Sequence, residues 1–366
     1  MTFENKNTIV NFSNSLLKHF GAPTFHETIP EVDEALKGHN KVVVMLFDGL
    51  GSYIQNEHAK SCPFILSHFY HRMIATYPPT TVASTTGLLS AKFPIENGWL
   101  AWSNYFKDYG VGINVFNNHN HDDHGLVVSK NHNIQSHYFP YESIFELIRK
   151  HNHEVSVLDL KTSDIDIDGM KNLKDGREKM NHFLEGKGKA FGYFYFTSPD
   201  KDIHENRVHH KKVAKAIKKI DKTVQKIVRD NPDTLFFTIA DHGLVDVIYL
   251  HVDEHPELMD TMKYPLTLEG RAAGFYIKEG REKEFEEIFA KLYGDSFTLM
   301  NRKEYLKAKV FGEGKPHERI DNFLPDYLAI ATKDKTLSTT DHKHLLAHHA
   351  GYTKEELEIN IGVYNK

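Results

Sequence analysis

The chain has 366 residues, 40% hydrophobic and 12% aromatic, enough apolar material to bury one large core or two smaller ones. Acids and bases are mixed along its length and leave a formal net charge of −5, which argues against the basic surplus that a nucleic-acid groove needs. One cysteine, Cys62, rules out a disulfide framework within the chain, and the longest uninterrupted apolar run, "VVVMLF" from Val42 to Phe47, is a strand length and no membrane span.

The opening "MTFENKNTIVNF" lacks a basic segment followed by a long apolar run, so a soluble cytoplasmic protein without a membrane partner is expected. "KVVVMLFDG" then reads as a buried strand that stops at Asp48-Gly49. "YPPTTVASTTGLL", Tyr77 to Leu89, sets two prolines before a crowd of hydroxyls, and a helix is expected from Thr81 to about Ser90. The hydroxyls either cap that helix or include a nucleophile. "YESIFELIRKHNHEVSVLDL" reads as a helix from about Tyr141 and a strand from Val155 to Leu158, and "FGYFYFTSPD" as a strand followed by a loop at Ser198-Pro199-Asp200. Val213, Ile217, Ile220, Val224 and Ile227 recur every three or four residues, the apolar stripe of a surface helix with a basic outer face. "TLFFTIADHG" is a further buried strand ending at Asp241-His242-Gly243.

Helices alternating with continuous apolar strands predict an α/β fold with a mostly parallel sheet between helices. The texture changes from about residue 250 to 314, where "AAGFYIKEG" reads as a strand and "EKEFEEIFAKLYG" as a helix; this stretch is expected to be a small α+β excursion from a single domain covering 1–366. "DYLAIATKD" returns as a strand, and no internal repeat or flexible linker is evident.

In a parallel sheet the carboxyl ends of all strands lie at one edge, where ligands bind. Asp48, Asp200 with His204, and Asp241 with His242 all follow strands, and His348 and His349 in "AHHAGYTKEE" are equal candidates to join them. Histidine is abundant, with 25 copies, and most of these are ordinary surface residues. Three carboxylates and three histidines suit two divalent ions with mixed nitrogen and oxygen ligands, zinc or alternatively manganese. Two ions about 4 Å apart are the arrangement used for displacement at phosphorus. A threonine at a helix start, beside free N–H groups and the positive dipole end, then has a use as an attacking alkoxide. "NVFNNHNHDDHG", Asn114 to Gly125, is also rich in ligating types but defines no single geometry, and is read as a polar surface loop.

"FDG", "PPTTVASTTGLLSAKFPIENG", "SPDKDIH", "ADHG" and "HHAGYTKEE", in this order and spacing, resemble the alkaline phosphatase superfamily, in particular its nucleotide pyrophosphatase/phosphodiesterase branch, from about Lys41 to Glu356. The resemblance implies a parallel sheet between helices and two bound zinc ions. One ion would be held by Asp200, His204 and His349; the other by Asp48, Asp241, His242 and the nucleophile. Reading back from "SAKFPIENG" the family pattern selects Thr81 over Thr80, and the pattern around the last ligand selects His349 over His348. The implied activity is hydrolysis of phosphodiester or pyrophosphate bonds through a phosphothreonine, with a small phosphate ester or nucleotide as substrate and no stable nucleic-acid partner.

Two positions depart from the family. Its phosphate-binding Asn is replaced by Trp102, with Asn104 close enough to substitute, and the basic residue often preceding the nucleophile is Thr80. Sulfatases share the fold, but "SCPFILSH" around Cys62 does not match their aldehyde-forming motif. A cofactor-independent phosphomutase or phosphomonoesterase is the enzymatic alternative, and a decayed metal-binding scaffold the non-enzymatic one. The small excursion with few clustered arginines disfavours the mutase; retention of every expected ligand and of Thr81 disfavours decay.

Overall fold

The computed structural model describes residues 1–115, 134–163, 165–341 and 344–365, together with the backbone of 119–120. A six-stranded sheet lies in the order Phe69–Ile74, Glu358–Tyr364, Leu235–Ile239, Lys41–Phe47, Lys189–Phe196, Val155–Leu160. The last four run parallel, whereas Glu358–Tyr364 is antiparallel to both of its neighbours. Lys41–Phe47 has a parallel partner on each side and is buried from Val42 to Phe47, which is why its sequence is an unbroken apolar run rather than an alternating one.

Helices flank this sheet. Lys211–Asp230 buries Val213, Ile217, Ile220, Val224 and Ile227, as their spacing requires, and packs on Leu173–Leu184. Ile9–His19 packs on Thr81–Ser90. The helix expected from Tyr141 spans Ile144–His151: Ser143 accepts from Glu146 N at 3.2 Å and its own N–H bonds Glu146 Oε2 at 2.7 Å, so a capping box fixes the later start.

The region 250–314 supplies Met262–Glu269, Ala272–Ile277 and Phe297–Asn301 to a second, antiparallel sheet of seven strands. Its other members are Ser103–Phe106, Val111–Asn114, His119–Asn120 and Tyr327–Ala331. "DYLAIATKD" is therefore a strand, but it lies between Ala272–Ile277 and Phe297–Asn301 rather than in the central sheet. A strand buried along its whole length carries no alternation that would name its partners. Helix Glu282–Tyr293 covers this sheet through Phe285, Phe289 and Tyr293.

Two central-sheet strands are not legible in the hydropathy pattern. Phe69–Ile74 is an edge strand, mostly part-exposed. Glu358–Tyr364 carries a buried Asn360, whose amide is satisfied by Ser52 Oγ at 2.7 Å and Gln55 Oε1 at 3.0 Å. Among the described residues no helix is long and apolar enough to cross a membrane.

Candidate active site and metal centre

The carboxyl edge of the central sheet gathers the acidic turns. Asp48 follows Lys41–Phe47 directly, its N–H bonding Phe196 O at 3.0 Å, and Asp200 N in turn bonds Asp48 O at 3.0 Å. Gly49 sits at φ +71°, where a Cβ would come within 2.9 Å of Asp200 Cβ, so the first two acidic turns interlock only because this residue has no side chain. Gly49 N and His242 N each donate to Asp241 Oδ1 at 3.1 Å, which ties the third turn to the first. Gly243 is equally constrained, since a Cβ there would meet Glu355 O at 2.0 Å.

Six of the expected ligands form two clusters, Asp48 with Asp241 and His242, and Asp200 with His204 and His349; within each, the ligating atoms lie within 4.8 Å of one another. The clusters adjoin, with the His242 and His349 ring centroids 4.1 Å apart. His204 Nδ1 bonds Ala347 O at 2.7 Å, which leaves Nε2 facing Asp200 Oδ1 at 3.2 Å. His348 lies outside both clusters, and burial pushes its imidazole down to about 3.

The electrostatics call for cations. Burial, reinforced by Asp241 and Asp200, pushes the Asp48 carboxyl well above its usual range, and burial raises Asp241 as well. Burial opposes ionisation of Asp200, but His204 beside it holds that carboxyl below its usual range. Burial and the neighbouring His242 hold His349 neutral. Asp241 Oδ2 and His349 Nδ1 are buried without a hydrogen-bond partner, a costly state for acceptors unless a cation meets them. The donor set, three carboxylate and three imidazole groups, fits two zinc or manganese ions.

The hydroxyls in and around helix Thr81–Ser90 have separate tasks. Thr80 is the N-cap residue and donates to Glu269 Oε1 at 2.7 Å. Thr85 donates to Thr81 O at 2.5 Å, Ser84 pairs with Thr76 at 3.1 Å, and Ser90 donates to Thr86 O at 2.7 Å. Of these hydroxyls Thr81 points into the clusters, its Oγ1 lying 3.1 Å from His242 Nε2 and 3.4 Å from Asp48 Oδ1. It is the first residue of helix Thr81–Ser90, where the free N–H groups and the positive dipole end favour an anion.

A cavity of about 420 Å³ opens beside Thr81, walled by Thr85, Leu89, Trp99, Tyr141, Lys161, Tyr193 and Tyr195 among others. Neither Trp102 nor Asn104 lines it. Trp102 is 38% exposed and its N–H bonds Glu269 Oε1 at 3.0 Å; Asn104 is fully buried with neither amide atom hydrogen-bonded. Of the other rings following Trp99, Phe106 is core, Tyr105 stacks on Tyr264 and Tyr109 is exposed. Phe116 and most of "NVFNNHNHDDHG" lie outside the described residues.

Sequence reasoning missed four supporting residues. Tyr195, five positions before Asp200, donates to Asp48 Oδ2. Glu269 in "LTLEGRAAG" reads as a turn between strands, yet its carboxylate is buried against the nucleophile helix. Arg271 and Glu356, both fully buried, form a two-pronged ion pair at 2.6 and 2.7 Å. Glu356 also accepts from Gly351 N and Thr353 Oγ1, each at 2.7 Å, and so clamps the loop that carries His349. Arg271→Met leaves that carboxylate buried without its cation and is expected to cost about 3–5 kcal/mol in denaturant unfolding. Arg271→Met/Glu356→Gln is expected to recover part of it. Equal stability of Arg271→Met and wild type would show that the pair does not hold the loop.

Known proteins share this chain's sequence family and its fold. The family model for type I phosphodiesterase/nucleotide pyrophosphatase matches residues 42–354. No curated protein sequence matches the chain. Among solved structures, human ectonucleotide pyrophosphatase/phosphodiesterase 5 is similar with a TM-score of 0.66 at 14% identity, over 88% of this chain and 87% of that one. An inactive variant of the murine protein in complex with AMP gives a TM-score of 0.64 at 14% identity, over 89% and 88%. At that identity the structures speak for the fold, a shared α/β architecture with a largely parallel central sheet. The family match spans most of the chain, and the chain therefore belongs to the type I phosphodiesterase/nucleotide pyrophosphatase family of phosphoric ester hydrolases, in the alkaline phosphatase superfamily.

Proposed function

We propose that the protein cleaves phosphodiester or pyrophosphate bonds of a nucleotide or similar small phosphate ester, with two divalent ions and a covalent intermediate on Thr81. The observation that carries this reading is the Thr81 hydroxyl, 3.1 Å from His242 Nε2 and 3.4 Å from Asp48 Oδ1 in one of two adjoining Asp/His clusters. Asp48, Asp241 and His242 would hold one ion beside Thr81, and Asp200, His204 and His349 the other. Zinc suits this set best, with manganese the alternative. Bound there, the ions would lower the pKa of the attacking hydroxyl and neutralise charge on the phosphoryl and leaving oxygens.

The chain's own residues supply the rest. Tyr195 and Gly49 N fix Asp48 and Asp241, so the cluster is held before substrate arrives. Thr81 Oγ1 attacks phosphorus as its proton passes to solvent, and the bond to the leaving oxygen breaks. Water then attacks the phosphothreonine, releasing the phosphorylated product and restoring the hydroxyl. The helix N-terminus stabilises the phosphoryl oxygens throughout. The aromatic cavity beside Thr81 takes the organic group of the substrate, with Tyr141, Tyr193, Tyr195 and Trp99 offering faces to a ring. The murine structure is in complex with AMP, which supports a nucleotide as the substrate class.

A monoester dianion needs more positive charge than a diester, yet no Lys or Arg lies between Tyr77 and Ala91, and Lys161, which walls the cavity, is paired with Asp159 at 2.8 Å. Diesters and pyrophosphates are therefore expected to be cleaved faster. The test is kcat/KM for bis-aryl, nucleotide-aryl and simple aryl phosphates, each with zinc and with manganese. A monoester preferred about tenfold or more, corresponding to about 1.4 kcal/mol, would make the protein a phosphomonoesterase or mutase instead.

A further inference from the structure

Glu269 is a buried acid hydrogen-bonded to the residue that precedes Thr81, and the mechanism above does not use it. It ends strand Met262–Glu269 of the second sheet and is 8% exposed. Its Oε1 accepts from Thr80 Oγ1 at 2.7 Å and from Trp102 N at 3.0 Å. Both partners give protons, which suits an ionised carboxylate. Thr80 directly precedes Thr81 at the N-cap position, and its hydroxyl goes to Glu269 rather than to the helix, so the carboxylate is tied to the residue next to Thr81. Burial leaves this carboxyl above its usual range, and the two donors together with His242 and His204, one from each cluster, limit that rise. Arg271, two residues on, does not neutralise it, because that guanidinium is committed to Glu356 and Lys335 O.

The geometry points to Glu269 as the residue that makes this site select monoanionic phosphodiesters over dianionic phosphomonoesters. The inference rests on the phosphodiesterase reading above and gives it a residue. A fixed carboxylate repels a phosphoryl group with two negative charges about twice as strongly as one with a single charge. Its two hydrogen bonds prevent it from swinging away, and burial keeps water from screening it. Selection here is by repulsion, the counterpart of the Lys or Arg clamp with which a monoesterase attracts the second charge.

Glu269→Gln tests this, because the amide keeps an oxygen for Thr80 and Trp102 and loses only the charge. Two readouts are compared with wild type in metal-loaded protein: the ratio of kcat/KM for p-nitrophenyl phosphate to that for bis-p-nitrophenyl phosphate, and, in a Thr81→Ala background that cannot turn over, the affinities of phenylphosphonate and its monomethyl ester by calorimetry. The monoester-to-diester ratio is expected to rise about tenfold or more, and phenylphosphonate to gain affinity over its ester by a similar factor. Glu269→Asp, which keeps the charge, is expected to keep the wild-type ratio. Loss of both activities in parallel, or an unchanged binding ratio, would overturn the inference and leave Glu269 a structural tie. Should Glu269→Gln fail to fold, Glu269→Ala is read by the same two ratios. A wild-type protein that itself prefers monoesters would instead overturn the functional reading, so the two failures are distinguishable.

Discussion

Thr81→Ala is expected to lower turnover of a phosphodiester on the order of 10⁴-fold or more while leaving the fold intact, because the hydroxyl that bonds to phosphorus is gone. Thr81 is half-buried, and its hydroxyl holds nothing together beyond the interactions at 3.1 and 3.4 Å with His242 and Asp48. Thr80→Ala makes the contrast. Its hydroxyl is the one bonded to buried Glu269, so the substitution leaves a carboxylate short of a donor at a cost of about 1–3 kcal/mol in stability. Its effect on kcat is expected to stay within about tenfold, since the Thr80 hydroxyl is spent on Glu269. Activity and unfolding measured on both variants should thus show opposite patterns. Equal loss of activity in the two would mean that the pair acts through helix capping and that Thr81 is not the nucleophile.

Stripping metal from the protein is expected to abolish activity and to lower Tm. Asp48 and Asp241 are buried, and burial, with Asp241 and Asp200 also acting on Asp48, raises their carboxyls above the ordinary range. In the metal-free protein a raised carboxyl favours the protonated form in the folded state. The penalty is absent below the unfolded value, near 4, and grows as pH climbs from there to the raised folded value, so the metal-free protein should lose stability across that window. Zinc or manganese at a free concentration of 100 times Kd should add about 2.7 kcal/mol per independent site. Elemental analysis of reconstituted protein should return close to two ions per chain. A count near zero, or a Tm indifferent to both metals and to chelation, would remove the dinuclear site.

The clustering of the acidic turns was legible because the fold concentrates them. Continuous apolar runs such as "VVVMLF" and "TLFFTI" announce buried parallel strands, and each ends in an acidic turn with a glycine. The parallel order then brings Asp48, Asp200 and Asp241 to one edge without further assumption. The partners that hold them were not legible. Tyr195 sits in an aromatic run where any ring would pack, and only the register of Lys189–Phe196 against Lys41–Phe47 aims its hydroxyl at Asp48. Glu269, Arg271 and Glu356 look like surface charges in sequence. They are buried through partners distant in sequence, Glu269 with Thr80 and Arg271 with Glu356, long-range contacts with no local signature. That sheet takes strands from both sides of a region that reads as a local excursion, so its extent cannot be counted from hydropathy alone. The substrate side shows the same limit. Trp102 and Asn104 stand out by spacing from the nucleophile, whereas the cavity beside Thr81 is walled by rings from Trp99, Tyr141, Tyr193 and Tyr195, which only the fold brings together.

The covalent role of Thr81 is tested most directly by the stereochemistry of hydrolysis. A phosphorothioate diester chiral at phosphorus, cleaved in isotopically labelled water, should give product with retained configuration, because in-line attack by Thr81 and then by water inverts the centre twice. Inversion would mean a single direct attack by water and would contradict the phosphothreonine.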